Sequence, residues 1–75
     1  MPKLTLDQQR VVENITRLRI WLELGRNPDG LTPQDLGRFV ENEGPASLDY
    51  HLKILVDVGL VTTVPGTNTY LSVEV

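Results

Sequence analysis

Pro45-Ala46-Ser47-Leu48-Asp49-Tyr50-His51-Leu52-Lys53-Ile54-Leu55-Val56-Asp57-Val58-Gly59-Leu60-Val61-Thr62-Thr63-Val64 is the stretch whose reading decides the fold. Pro45 suits the first helical position, where a missing N–H is no loss. Leu48, His51, Leu52, Leu55 and Val58 recur on one face at the helical period. Gly59 suits the left-handed residue that closes a helix. From Leu60 the period changes to two, and Leu60 to Val64 is β-branched and strand-like. Pro65-Gly66-Thr67-Asn68 reads as a turn, and Thr69 to Val75 as a second strand. The stretch therefore predicts a helix over 45–58 running straight into a β-hairpin.

Upstream, Leu31-Thr32-Pro33-Gln34-Asp35 starts another helix, with Thr32 as N-cap and Pro33 at the first position. Leu36, Phe39 and Val40 share its apolar face, and it should end near Asn42 before a tight turn at Glu43-Gly44. Thr5-Leu6-Asp7-Gln8 is a capping box, and a long helix is expected from there to about Leu24, closed by Gly25. Along it Val11, Ile15, Leu18 and Leu22 form one stripe with Val12 at its edge. Ile20, Trp21 and Leu24 fall on a different side. Two apolar stripes imply two things to bury against. The helix is either central and widely buried, or it meets a second copy through Val11, Val12, Ile20, Trp21 and Leu24.

The expected class is α+β, mostly α. Its order is a long helix, a short extended residue at Leu31, two short helices joined by a Gly turn, and a hairpin. That is the order of a winged helix-turn-helix: three helices plus a C-terminal β-hairpin wing, with Leu31 at the edge of the hairpin sheet. At 75 residues the chain is expected to be one domain, 1–75. Its core is thin, and no disulfide is available to help, because the sequence has no Cys.

Composition removes several function classes. One His and no Cys leave no ligand set for zinc or an iron–sulfur cluster, and no Cys nucleophile. No Gly-rich phosphate loop or Ser-His-Asp pattern is present, so neither catalysis nor a cofactor is expected. No apolar run approaches the ~18 residues of a membrane span, and Met1-Pro2-Lys3-Leu4-Thr5 is too short and polar for a signal peptide. A cytoplasmic protein without a membrane role is expected.

The residues also resemble a known family. Thr16-Arg17-Leu18-Arg19-Ile20-Trp21-Leu22 is similar to the first core-helix signature of the ArsR-type winged-helix repressors. Leu31-Thr32-Pro33-Gln34-Asp35-Leu36 is similar to the start of their second helix. Ser47 to Val61, with its His51-Leu52-Lys53 triplet and Gly59-Leu60-Val61 exit, resembles their recognition helix and entry to the wing. The resemblance covers about 16–71 and implies a winged helix, binding of double-stranded DNA and a homodimer. It departs in three places. The Cys and His clusters of metal-sensing members are missing. The trailing dimerisation helix is missing as well, which assigns any dimer to the N-terminal helix. The wing, Thr62 to Thr69, carries no Lys or Arg.

On this reading the outer face of helix 45–58 meets the major groove. Ala46, Ser47, Asp49, Tyr50 and Lys53 are the expected contacts. Lys53 suits phosphate or guanine, Asp49 a cytosine amine, and Ser47 and Tyr50 phosphate oxygens. Thr32, Gln34 and Arg38 join them from the preceding helix, and Thr67 and Asn68 from the wing. The competing reading is a solvated face on which Asp49 and Asp57 bracket Lys53 at i±4. His51 is read either as a pH-sensitive group or as a packing residue with a satisfied ring nitrogen.

Charge sharpens the contrast. The whole chain carries −3; residues 1–30 carry +1, with five Lys and Arg against four Asp and Glu. Residues 31–75 carry −4, with Arg38 and Lys53 against six acids. The half expected to face DNA is the acidic half. Hence an alternative function: a winged helix whose Asp49, Tyr50, Ile54 and Asp57 meet a basic protein partner or another regulator instead of DNA.

Overall fold

The computed structural model describes residues 4–40 and 43–73. These form four helices and a two-stranded hairpin. The element order is that of a winged helix-turn-helix with its first helix divided.

Helix α1 (Leu6–Val12) starts at the expected capping box. Thr5 Oγ1 accepts from the Gln8 N–H at 3.1 Å, and Gln8 Oε1 accepts from the Thr5 N–H at 2.9 Å. The single helix expected to reach Leu24 is instead two. Asn14 adopts an extended backbone, and its Oδ1 accepts from the N–H groups of Thr16 (3.0 Å) and Arg17 (3.1 Å), starting α2 (Ile15–Arg26) afresh. A short side-chain amide that satisfies helix-start donors competes with helix continuation. Arg17 then donates from Nε to the Val11 carbonyl at 2.9 Å, covering the end of α1. Gly25 does not close the helix: α2 runs through it and ends at Asn27, whose Nδ2 donates to the Glu23 carbonyl at 2.7 Å.

The burial of α2 also corrects the sequence reading. Ile20 and Leu24 are 0% and 1% exposed within the chain's own core, so they are not free to meet a second copy. Ile15 and Leu22, from the other stripe, stand 68% and 51% exposed. Val11, Val12 and Trp21 are half-buried against the core.

Gly30 (φ +89°) turns the chain where a Cβ would strike Thr69, Leu71 and the Tyr70 carbonyl. That close approach lets Leu31 exchange two backbone bonds with Tyr70, at 3.0 and 2.8 Å, as the expected edge residue of the sheet. Helix α3 (Pro33–Leu36) has a second capping box, between Thr32 and Asp35. It is shorter than the sequence reading. After Leu36 the backbone continues as bonded turns through Val40, beginning at Gly37, a poor helix former. Phe39 consequently points outward, 43% exposed, while Leu36 and Val40 are buried. The expected end at Asn42 lies outside the described residues.

Helix α4 (Pro45–Asp57) buries Leu48, His51, Leu52 and Leu55, and Gly59 (φ +80°) reverses the chain after it. Strands β1 (Val61–Thr63) and β2 (Tyr70–Ser72) pair antiparallel, with Thr62 opposite Leu71. The first is shorter than expected, the second starts one residue later than expected, and its expected end at Val75 lies outside the described residues. The core lies where α2, α3 and α4 converge on the hairpin: Ile20, Leu24, Leu36, Leu48, Leu52, Leu55, Leu60 and Val61 are all almost solvent-free. Each such side chain contributes about 1.5–3 kcal/mol through burial. Among the described residues, no helix is long and apolar enough to cross a membrane.

Candidate nucleic-acid interface

Anchoring one face of α4 in the core leaves the opposite face outward. Ala46, Tyr50, Lys53 and Asp57 are exposed there, with Asp49 partly so. Lys53 is bracketed on one side only. Its Nζ lies 3.1 Å from Asp49 Oδ2, and the pair is solvent-exposed. Such a pair contributes at most about 1 kcal/mol, so Lys53 exchanges it readily for another anion.

The head of α4 is organised by a residue the sequence reading missed. Glu43 Oε2 accepts from Ser47 Oγ at 2.6 Å, and Oε1 lies 3.9 Å from His51 Nε2. The Ser47 hydroxyl holds the Glu43 carboxyl below its usual range against the opposing effect of partial burial, with further help from the Thr16 hydroxyl of α2 and the His51 ring. The sequence carried one signal for this: an acid four residues before a serine, on the same side of a helix start. The order Ser47–Glu43–His51 places the carboxylate between hydroxyl and imidazole. The Ser47 proton is therefore directed at the Glu43 carboxylate and not at the His51 ring.

His51 is buried, as its packing role requires, but its ring is not satisfied as expected. Among the described residues Nδ1 is enclosed without a hydrogen-bond partner, and Nε2 is too far from Glu43 for a hydrogen bond. The Tyr50 ring meets its edge at 5.4 Å between centroids.

Gln34 and Arg38 reach the same region from the α3 side. They line a cleft of about 450 Å³ with Pro33, Gly37, Glu43, Pro45 and Leu48. Thr32 has a structural task, since its hydroxyl oxygen accepts from the Asp35 N–H at 3.1 Å. Asp35 is held below the usual carboxyl range by the Thr32 N–H and then the Thr32 hydroxyl, with a smaller contribution from Arg38. At the tip of the hairpin Asn68 is exposed. Thr67 is exposed too, but its hydroxyl donates to the Val64 carbonyl at 2.9 Å and so holds the turn. The cleft thus brings Gln34 and Arg38 beside Pro45 at the head of α4, while Ala46, Tyr50 and Lys53 lie on the outer face of that helix and the wing residues lie apart on the hairpin. Among the described residues, no group of three or more His, Cys, Asp or Glu is placed to hold a metal.

Two successive helices, the second carrying a free outer face and followed by a hairpin, define a winged helix-turn-helix. A family model described as a helix-turn-helix domain matches residues 13–64, from the α1–α2 break through β1. The chain belongs to this helix-turn-helix family, whose members supply the DNA-reading module of regulators. No curated protein and no solved structure matches it.

Proposed function

We propose that the chain is a small transcriptional regulator of ArsR-like type that binds double-stranded DNA as a homodimer, acts in the cytoplasm and has no catalytic role or cofactor. The observation that carries the reading is the outer face of α4, anchored from behind by four buried side chains and open in front. In the major groove, Ala46 suits a thymine methyl, while Lys53 and Tyr50 reach phosphate or base edges. Arg38 and Gln34 supply the phosphate contacts that set register.

The dimer face is the outward stripe of α2. Ile15 and Leu22 are exposed, Leu18 lies partly exposed between them, and Val11, Val12 and Trp21 lie half-buried nearby. Pairing two copies there doubles the cationic contacts and offers two reading helices to half-sites about one turn, ~34 Å, apart.

The test is a fluorescence-anisotropy titration against a mixed duplex pool at about 50 mM salt, where phosphate contacts are strongest. Binding is expected to weaken as salt rises, with a log–log slope of roughly −2 to −4, set by the two cations per chain. Lys53→Glu should weaken it, with an effect that shrinks at high salt. Folded protein that binds no duplex overturns the proposal.

A second reading has its own observation. Lys53 is already paired with Asp49 and the wing carries no cation, so the outer face of Asp49, Tyr50, Ile54 and Asp57 also suits a basic protein surface. Recovery of a basic partner whose binding is lost on Asp57→Lys, with no duplex binding, would favour it.

A further inference from the structure

We propose that Glu43 is a built-in competitor for nucleic-acid phosphate, holding the Ser47 hydroxyl at the head of α4 and keeping DNA affinity low. The inference rests on the DNA-binding reading above. Ser47 has one hydroxyl proton, and it is directed to Glu43 Oε2 across 2.6 Å. That is the length of a charge-assisted bond, the stronger kind of hydrogen bond. A backbone phosphate approaching the first turn of α4 therefore finds its hydroxyl donor engaged by another anion.

The carboxylate is partly enclosed at the head of α4. Its side chain is only 21% exposed. It faces Ser47 and His51 of α4, Thr16 of α2, and Gln34 and Arg38 across the cleft. The cleft that offers Arg38 to a phosphate is thus also lined by a negative charge.

An amide in the same place would keep the acceptor for Ser47 without the charge, so the charge itself is what must be explained. A unit charge about 6 Å from a phosphate, at a dielectric near that of water, changes a binding constant about three- to fivefold. In a dimer two such charges act together, for about tenfold or more.

Glu43→Gln isolates this effect. Duplex binding by the full chain is measured by anisotropy at about 50, 150 and 500 mM salt, with folding checked by circular dichroism. The variant should bind about three- to fivefold more tightly per half-site at low salt, and the gain should shrink as screening grows. Glu23→Gln makes the same change in net charge on α2, where Glu23 pairs with Arg26, and should shift affinity by less than about twofold. Glu43→Ala removes the charge and the acceptor together and releases the Ser47 hydroxyl, so it should tighten binding at least as much as Glu43→Gln.

Duplex binding by the parent chain with equal or weaker binding by Glu43→Gln overturns the inference and leaves the DNA reading standing. So does equal or weaker binding by Glu43→Ala, which remains decisive if Glu43→Gln does not fold. Absence of binding by parent and variant alike removes the DNA reading, and this inference with it.

Discussion

Gln8 joins the two ends of the sequence, and its replacement has a magnitude that the structure sets. The side chain is buried. Its Oε1 accepts from the Thr5 N–H at 2.9 Å, and its Nε2 donates to the Val58 carbonyl at 2.9 Å, across a sequence separation of 50 residues. One amide thus closes the capping box of α1 and satisfies a carbonyl at the end of α4. Gln8→Ala removes both bonds, each worth about 0.5–1.5 kcal/mol net, and leaves partly enclosed groups without partners. The expected loss is about 2–3 kcal/mol. A chain of this size has on the order of 4–11 kcal/mol in total, so the loss is a large fraction.

Thermal unfolding followed by circular dichroism should show a fall in Tm of at least about 8 °C. Gln8→Glu separates the two bonds. A carboxylate still accepts from Thr5, but cannot donate to Val58 and brings negative charge to the carbonyl end of α4. It should be destabilising at neutral pH and partly recover in acid, where a protonated carboxyl donates again. A loss below about 0.5 kcal/mol for Gln8→Ala, or a Gln8→Glu chain as stable as the parent at pH 7, would refute the assignment of a stability role to the Val58 contact.

The other predictions concern conformation, charge and association. Gly30→Ala should destabilise strongly, since a Cβ there strikes Thr69 and the Tyr70 carbonyl; Gly66→Ala, at a similar φ of +76° but in open space, should cost only about 1 kcal/mol in the same urea titration. Asp35 and Glu43 have folded-state pKa values below their unfolded ones. Their stabilisation is therefore complete above the usual carboxyl range and is lost as pH falls through the folded values. Stability should hold from pH 7 down to about 5 and decline below about 4, less steeply in Asp35→Asn. Leu22→Glu should leave stability within about 0.5 kcal/mol, because the side chain is half in solvent, and yield a monomer in sedimentation; an unchanged dimer would move the interface elsewhere.

What the sequence revealed and what it hid divide by range. The caps at Thr5 and Thr32, the reversal at Gly59 and the bridge at Leu31 were legible because each depends on a few neighbouring residues. The inner face of α4 was legible because one apolar stripe stood against a polar remainder. The long first helix was misread at Asn14, whose apolar neighbours keep a helical period on both sides of a break that the Asn side chain itself creates. Its faces were misread for another reason. Apolar residues occur on opposite sides of α2, and periodicity does not say which side α4 and the hairpin will cover. Glu43 was invisible as a site because its surroundings come from α2, α3 and α4 together.

The acidity of the 31–75 half takes a different meaning once its carboxylates are placed. Three of the six acids have internal tasks: Asp35 caps α3, Glu43 holds Ser47, and Asp49 pairs with Lys53. These charges are not an undirected repulsive surface. The first accepts from the Thr32 N–H at its own helix start, where the helix dipole partly offsets its charge. The third sits beside the cation it modulates, so a phosphate gains Lys53 by displacing one weak, exposed pair. Only the second stands directly in the cleft between Arg38 and the head of α4. Net charge sums these as equals, but their distances from the outer face of α4 and their partners do not. Among the described acids the electrostatic case against DNA therefore narrows to Asp57, exposed on the outer face of α4, and Glu43 in the cleft, and neutralising Glu43 measures how much of that opposition the cleft carries.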